Sequence, residues 1–317
     1  MKLGKIFAVL LAGVFSVGAM TCAEPAAAAE KVKIAMVLKT LSSQYWKIVA
    51  AGAQAAADKN NVELILLGPP TEDAVEQQIN MVQDVIAQKP AALIFSPSQP
   101  DTAINILTKV RAKGIPVILV DTGMPPSFTD YASFIGTDNI AAGKAGGEAL
   151  AKVLKAGDKV LLLEGAPGNP SMTDRVNGAE AVLKAAGMVV AARQPAYSDR
   201  EKAYTATRNA LQSTPDIAGV FAGNDEEALG ALRALQQSGK KVPVIGVDAN
   251  TDNLRAILAG DLFGSVAQGN YDMGRLGVEK ALEVLAGKAI DKRIDSGATL
   301  ITKDNAQKLL DFRNSIK

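Results

Sequence analysis

The chain has 317 residues, 48% hydrophobic and 21% charged, which predicts one large or two medium domains with ample core. The net charge of +1 provides no electrostatic basis for binding nucleic acid or an anionic membrane. Histidine is absent, which excludes Ser/His and Cys/His catalytic arrangements and removes the usual metal ligand.

The first 29 residues have the pattern of a signal peptide. Lys2 and Lys5 precede an apolar run over 6–20 that is too short for a good membrane span. Cleavage near Ala29 is favoured over lipidation at Cys22, because a threonine precedes that cysteine. Cleavage would leave a chain without cysteine, which is compatible with export to the periplasm.

The rest of the chain alternates short apolar runs with longer segments of helical periodicity. The predicted strands are 32–38, 62–67, 91–95, 115–120, 133–136, 160–163, 189–192, 218–222, 242–247, 263–267 and 294–301. The predicted helices are 44–60, 71–88, 102–113, 139–154, 171–186, 201–213, 225–238, 251–259, 271–286 and 304–312. This alternation indicates parallel sheets with right-handed crossovers.

The first predicted strand ends at Lys39 and is followed by a polar turn. Ser43, or the serine before it, is a candidate cap for the next helix, whose first turn carries Tyr45 and Trp46. Ligands of open α/β sheets bind outside the carboxyl ends of the strands, so these two rings are candidate ligand contacts. Burial of both rings in the core is an equally good interpretation.

A weak internal repeat relates 114–121 to 241–248. Each segment runs from a helix end through a proline and a buried strand to an aspartate, Asp121 in one and Asp248 in the other. Two similar halves, each with an aspartate at a strand tip, predict a cleft with hydrogen-bond acceptors on both walls.

Two carboxylates, two cations, two amides and two aromatic rings lie at or near the predicted strand ends. These residues are Lys39, Tyr45, Trp46, Asp121, Arg175, Asn224, Asp248 and Gln268. Such a mixture suits a sugar, because carboxylates accept from hydroxyls, cations donate to oxygens, and rings cover apolar C–H faces.

Each polar member of this set also has a structural interpretation. Asp248 and Asn224 are candidate helix caps, and Gln268 is a candidate turn residue. Arg175 lies inside a predicted helix, where a solvated face or an ion pair on its own helix is the alternative. The shared location at strand ends, rather than any single residue, indicates a binding site.

Motifs of enzymes are missing from the sequence. The sequence contains neither of the phosphate-binding patterns G-x-x-x-x-G-K-[ST] and G-x-G-x-x-G. It also lacks the G-x-S-x-G motif of hydrolases and the ligand spacing of a zinc site. A pair such as Asp121 and Asp248 is chemically able to hydrolyse glycosides, but nothing in the sequence raises the pKa of one above the other. We therefore predict no catalytic activity, no cofactor and no metal.

The chain resembles the periplasmic sugar-binding proteins of ABC transporters, in the ribose/allose-like group, over essentially its whole mature length. The matching segments are 37–41 with the aromatic pair, 120–121, 137–139 with Gly143, 175–179, 194–200, 223–230, 247–248 and 266–268.

This resemblance implies an α/β fold of two doubly wound parallel-sheet lobes joined by a three-strand hinge. The amino-terminal lobe would comprise 30–136 plus 269–296, and the carboxy-terminal lobe 137–268 plus 297–317, after the signal peptide at 1–29. The chain would cross between the lobes near Thr137, near Gln268 and near Ser296.

The resemblance also implies a set of ligand-binding residues. Carried over by position, they are Lys39, Ser43, Tyr45, Trp46, Asp121, Arg175, Asn224, Asp248 and Gln268. Two more candidates mark departures from the ribose binders: Thr122 stands where they have an arginine, and Ser198 where they have an aromatic residue, although Tyr197 is a candidate substitute.

Another departure is Gln44, which precedes the rings where the family has a proline. These departures and Lys39 favour an allose-like hexose over ribose, with a polyol such as an inositol as the alternative.

The function implied by the family is capture of a monosaccharide by closure of the lobes and delivery to a membrane permease. A chemoreceptor is a further partner compatible with the sequence, and the family implies a monomer that binds no nucleic acid. Two other classes are a sugar-responsive repressor, which needs a helix-turn-helix where this chain has its signal peptide, and a sugar-processing enzyme.

Overall fold

The computed structural model describes Met1 and residues 31–316. The predicted signal peptide, with Cys22, lies outside the described residues apart from Met1. The strands are β1 (Val32–Val37), β2 (Val62–Leu67), β3 (Ala92–Phe95), β4 (Val117–Val120), β5 (Ser133–Gly136), β6 (Lys159–Glu164), β7 (Val189–Pro195), β8 (Ile217–Ala222), β9 (Val244–Asp248), β10 (Gly264–Gln268), β11 (Arg293–Asp295) and β12 (Ala298–Ile301). The helices are α1 (Gln44–Lys59), α2 (Val75–Ala87), α3 (Pro100–Ala112), α4 (Asn139–Ala151), α5 (Pro170–Ala185), α6 (Arg200–Ser213), α7 (Asp225–Gln237), α8 (Thr251–Ala259), α9 (Asn270–Leu285) and α10 (Ala306–Ser315).

The first lobe is built on a sheet with the strand order β11-β5-β4-β3-β1-β2, in which every neighbouring pair is parallel. Alternate residues of one strand pack against opposite helix layers, because successive side chains of a strand point to opposite faces. Ile34 and Met36 of β1 pack with α1 and α9, whereas Ala35 and Val37 pack with α2 and α3. Burial on both faces explains the nearly continuous apolar run of β1.

The second lobe repeats this arrangement with the strand order β12-β10-β9-β8-β6-β7. Helices α4 and α5 cover one face, and α6, α7, α8 and α10 cover the other. Its last strand, β12, pairs antiparallel with β10, so this sheet is mostly but not entirely parallel.

The predicted final strand over 294–301 is wrong as a single element. It forms two short strands, β11 in the first sheet and β12 in the second. Gly297 separates them with φ +79, a left-handed conformation that ends an extended strand and that glycine adopts without strain. The chain thus passes between the sheets here, after β5 and after β10, and the Thr137 and Ser296 hydroxyls lie 3.0 Å apart between two of these crossings.

Among the described helices, none combines the length and the apolar character that crossing a bilayer requires.

Candidate functional site

A cavity lies between the two lobes, at the carboxyl ends of strands from both sheets. This is the position where open α/β sheets bind ligands. Its lining is predominantly polar and comes from Lys39, Ser43, Tyr45, Trp46, Glu72, Asp121, Asn169, Ser171, Met172, Arg175, Ser198, Asn224, Glu226, Asp248, Asn250 and Gln268.

The structure brings ten of the eleven predicted site residues to this one cavity. The first lobe contributes Lys39, Ser43, Tyr45, Trp46 and Asp121, and the second lobe, with the crossing at the end of β10, contributes Arg175, Ser198, Asn224, Asp248 and Gln268. Thr122 is the exception, because it lies beside the cavity lining, completely buried. Its hydroxyl donates to Asp121 Oδ2 at 2.8 Å and lies 2.9 Å from Ser171 Oγ of the second lobe.

Asp121 is the centre of the first-lobe wall. Its carboxylate accepts a hydrogen bond from the Tyr45 hydroxyl at 2.7 Å and lies 3.1 Å from Lys39 Nζ. Burial would raise the pKa of Asp121, but the charges of Lys39 and Arg175 and the hydroxyl donors outweigh burial and hold that pKa below its usual value. Asp121 is therefore an ionised acceptor on the cavity wall.

Trp46 and Tyr45 satisfy both interpretations made from the sequence. They belong to the apolar core beneath α1, and they also line the cavity. Their rings meet edge to face with centroids 4.9 Å apart, and Lys39 Nζ lies 5.7 Å from the Trp46 ring centre. The indole Nε1–H donates to Glu72 Oε1 at 2.7 Å, which fixes the orientation of the ring.

Arg175 spans the second-lobe wall instead of lying on a solvated helix face. Its Nε donates to Asn139 Oδ1 at 2.7 Å and its Nη1 to the carbonyl of Gly223 at 3.1 Å. The same Nη1 lies 3.6 Å from Asp248 Oδ1, and the side chain is almost completely buried. The alternative of an ion pair on its own helix is therefore wrong.

Asp248 faces Arg175 but is in a different electrostatic state from Asp121. Burial raises the pKa of Asp248, and the negative charges of Asp121 and Glu72 raise it further. The charge of Arg175 and a hydrogen bond from Gln268 Nε2 to Asp248 Oδ1, at 2.7 Å, oppose this rise. Asp248 is the last residue of β9, and the cap position of α8 belongs to Asn250, so the capping interpretation of Asp248 is wrong.

Asn224 is both a helix cap and a cavity residue. Its Oδ1 accepts from the backbone N–H of Glu227 at 3.0 Å, which caps α7. The residue also lines the cavity, so capping fixes the side chain in place there.

Several buried polar atoms of the lining have no hydrogen-bond partner among residues 31–316. They are Ser43 Oγ, Asn169 Oδ1, both amide atoms of Asn250, and Gln268 Oε1. A buried polar group without a partner costs about 1–3 kcal/mol, so such atoms are normally paired. Seven further atoms of this kind lie elsewhere in residues 31–316, but these five share one cavity, so a polar ligand bound there would complete their hydrogen bonds.

Sequence reasoning missed six lining residues: Glu72, Asn169, Ser171, Met172, Glu226 and Asn250. Glu72 was assigned to the first turn of a helix predicted from 71, whereas α2 begins at Val75 and leaves Glu72 in the preceding turn. Burial raises the pKa of Glu72, with Lys39 opposing that effect. Asn250 had a detectable signal, because it follows the strand-tip aspartate of the internal repeat by two residues.

Tyr197 does not replace the missing family aromatic at Ser198. Its side chain is 37% exposed, and Lys202 Nζ sits 4.5 Å from its ring centre, away from the cavity lining. Ser198 itself lines the cavity, and its backbone N–H donates to Glu227.

Glu227 is a completely buried carboxyl behind the second-lobe wall, and it predicts a pH effect. Burial raises its pKa to about 8, against two backbone N–H donors, from Ser198 and Gly223. The folded state keeps this proton after the unfolded chain has released its own, so the free energy of unfolding falls as pH rises from about 4.5 to about 8. One proton that is bound by the folded state and not by the unfolded chain lowers the free energy of unfolding by about 1.4 kcal/mol for each pH unit.

We expect thermal unfolding midpoints of the ligand-free protein to decrease across this range. Glu227→Gln should reduce the slope, whereas the matched variant Glu76→Gln, on the exposed face of α2, should preserve it. An identical slope in Glu227→Gln and the wild type would contradict the assignment.

Within the described residues, no group of three or more His, Cys, Asp or Glu side chains is arranged to hold a metal ion.

Comparisons with known proteins identify the family of the chain. A model of the periplasmic binding protein domain matches residues 34–289. The ribose import binding protein of Salmonella typhimurium is 35% identical over 92% of this chain and 98% of its own length. The D-allose-binding periplasmic protein of Escherichia coli is 31% identical over 86% of this chain and 90% of its own.

A solved structure shows the same fold. It is an ABC transporter solute-binding protein of Agrobacterium vitis with bound D-fucose, 31% identical, with a TM-score of 0.84 over 87% of this chain and 97% of that one. The chain therefore belongs to the periplasmic binding protein family, in the type I group that includes the ribose- and allose-binding proteins.

Proposed function

We propose that this protein is the solute-binding component of a sugar ABC transporter, which captures a neutral monosaccharide between its lobes and delivers it to a membrane permease. The observation that supports this best is the set of unpartnered polar atoms on the closed cavity, on Ser43, Asn169, Asn250 and Gln268. A monosaccharide presents hydroxyls that donate and accept at once, which suits hydroxyl and amide groups of both polarities.

The charged groups of the cavity favour a neutral ligand. Asp121 lies beside Lys39 and Asp248 faces Arg175, and with Glu72 and Glu226 the lining carries four carboxyl groups against these two cations. An anionic sugar would have to displace a buried carboxylate from its cation, which costs several kcal/mol. The rings of Tyr45 and Trp46 suit the apolar C–H face of a pyranose.

Within the neutral sugars we favour an allose-like hexose over ribose. Thr122 stands where the ribose binders have an arginine, and its short side chain is used up in bonds to Asp121 and Ser171. Lys39 matches the allose-binding members and lines the cavity. A polyol such as an inositol presents the same hydroxyl chemistry and belongs in the ligand panel.

Capture would proceed by closure of the lobes about their three crossings. Contacts between lobes include Thr122 with Ser171, and Lys202 Nζ with Asp73 at 3.0 Å. A ligand that touches both walls stabilises the closed form over the open one. We propose that the mature chain, cleaved near Ala29, is a periplasmic monomer. Its partners would be a membrane permease and a chemoreceptor, both of which bind the closed form.

A glycoside hydrolase is the second candidate, favoured by one observation. The pKa is lowered at Asp121 and raised at Asp248, and such a split between two carboxyls is what glycoside hydrolysis uses. Both carboxyls are, however, held by cations on their own walls, and the curated relatives described above are binding proteins. We therefore propose binding without chemical change.

A thermal-shift panel of neutral hexoses, pentoses and polyols, followed by calorimetry, tests the proposal. We expect at least one neutral sugar to raise the unfolding midpoint by about 5 °C or more at saturating concentration, because it binds only the folded form. Uronic acids serve as the anionic control and should produce no shift. The sugar recovered after incubation should be unchanged, and glycosides should not be cleaved. A panel without any shift would refute sugar capture.

A further inference from the structure

Two helices begin opposite each other at the mouth of the cavity. α1 of the first lobe begins at Gln44, and α8 of the second lobe begins at Thr251. Their first backbone N–H groups have no partner inside their own helix, as at every helix start. Both residues lie outside the cavity lining, and Gln44 belongs to a groove at its mouth.

Neither helix is capped by its own cap residue. In the described chain, Ser43 and Asn250 occupy the cap positions of α1 and α8 without a side-chain capping hydrogen bond. Serine and asparagine are among the best capping residues, and their usual capping bond contributes about 1 kcal/mol. Here the side-chain atoms of both residues instead belong to the unpartnered polar set of the cavity.

Gln44 of the other lobe satisfies the first backbone N–H of α8, whereas a side-chain cap would bind the second or third. Its Oε1 accepts from the backbone N–H of Thr251 at 2.6 Å, and its Nε2 donates to Thr251 Oγ1 at 2.6 Å. Both bonds join a residue of one lobe to a residue of the other, so they exist only while the lobes are closed. A proline at position 44 would provide neither the acceptor nor the donor.

We propose that Gln44 is an interlobe latch that determines how long the closed protein retains its ligand. This inference rests on the proposed function. The ligand binds the side chains of Ser43 and Asn250, while the carboxamide of Gln44 satisfies the first N–H of α8. When the lobes separate, Thr251 loses this partner and Asn250 becomes free to cap its own helix, so opening and release of the ligand are coupled.

The other interlobe contact near the mouth provides a matched control. Lys202 and Asp73 form an ion pair, but their side chains are 47% and 41% exposed. Exposed ion pairs contribute little and are screened by salt. Thr251, in contrast, is 6% exposed, so its bonds to Gln44 are sheltered from water. Lys202→Gln therefore removes an exposed interlobe contact that should contribute little to the closed form, and serves as the control.

The test uses a sugar that the wild type binds and the fluorescence of Trp46, the single tryptophan, in stopped-flow measurements. Gln44→Met keeps the side-chain length and removes both bonds. We expect it to increase the dissociation rate and Kd about tenfold, with an association rate within threefold of the wild type, because the open form meets the ligand first. Gln44→Glu keeps the acceptor for Thr251 N–H and should stay within threefold of the wild type, as should Lys202→Gln.

A general loss of stability is separated from loss of the latch by the unfolding midpoint of the ligand-free protein, which Gln44→Met should leave unchanged. If Gln44→Met binds the sugar with wild-type Kd and dissociation rate, the latch is refuted and sugar capture stands. If the wild type binds no sugar, capture is refuted. The latch is then decided without ligand by acrylamide quenching of Trp46: stronger quenching in Gln44→Met supports it, and equal quenching refutes it.

Discussion

Replacing Asp121 with alanine is expected to weaken sugar binding at least tenfold, the largest loss of any single substitution in the cavity. The change removes an ionised acceptor and leaves Lys39 buried beside it without its partner at 3.1 Å. A hydrogen bond to a charged group typically contributes about 1.5–3 kcal/mol, which is about ten- to a hundredfold in affinity. Calorimetry with the sugar identified in the panel measures the effect.

Two further variants separate the charge of Asp121 from its packing and backbone. Asp121 has φ +63, a left-handed conformation that asparagine tolerates well, so Asp121→Asn keeps size and backbone while removing the charge. We expect Asp121→Asn to lose most of the affinity as well. Asp130→Ala, which removes an exposed carboxylate paired with Arg111, should bind as the wild type does. Wild-type affinity in Asp121→Ala would mean that the site is misplaced.

Gly274→Ala is expected to lower the free energy of unfolding by about 3 kcal/mol, the largest stability effect of so small a change. Gly274 lies in α9 where it crosses α1, and an added Cβ would overlap the carbonyl oxygen of Val49 and lie 2.8 Å from Ala53 N. Backbone atoms do not yield as a flexible side chain does, so the helices must separate. Because α1 carries Tyr45 and Trp46, the same shift should weaken sugar binding.

Gly277→Ala provides a control in the same helix. Its added Cβ would meet only side-chain atoms, the nearest being Ile94 Cγ2 at 3.3 Å, and alanine favours the helix. We expect a change below about 1 kcal/mol in chemical denaturation. Equal stabilities of the two variants would contradict close backbone contact between α1 and α9.

The positions of most site residues were predictable because parallel strands carry their polar ends to one edge. Asp121 follows β4 directly, Asp248 ends β9, and the two lie in corresponding segments of a repeat. Lys39 and Trp46 follow β1 in the same way. Apolar runs of four to six residues bounded by polar turns are sufficient to place these ends, since the sheet edge is set by local pattern.

Other parts of the site were outside the reach of local pattern. Glu72 enters the cavity because α2 starts later than its sequence suggests, and Asn169 reaches the cavity from the loop before α5. The sequence does not distinguish whether Asn224 and Asp225 only cap a helix or also contribute to the site, because the cavity and the hydrogen-bond partners of Asp225 come from residues that are distant in the chain. Asn224 caps and faces the cavity, whereas Asp225 is completely buried and accepts from Ser265 Oγ and Asn250 N.

The electrostatic states of the two strand-tip aspartates also depended on the folded neighbourhood. Asp121 and Asp248 are alike in the sequence, yet the pKa of the first is lowered and that of the second raised. Asp121 has Lys39 at 3.1 Å and two hydroxyl donors, whereas the nearest cation to Asp248, Arg175, is 3.6 Å away and also bonds Asn139 and Gly223. The two pKa values therefore differ because of the distance to the nearest cation and the other hydrogen bonds that this cation makes, and not because of residue type.

By itself, the sequence determined the alternation of buried strands and helices, the division into two matching halves, and the polar composition of the strand ends, because each follows from local periodicity and chain direction. Only the tertiary structure decided that these ends enclose one cavity, which carboxyl keeps its charge, and that Gln44 bonds Thr251 across the mouth. Those properties arise between residues that are distant in the chain, and the packing of whole lobes sets the distances and the shared burial of these residues.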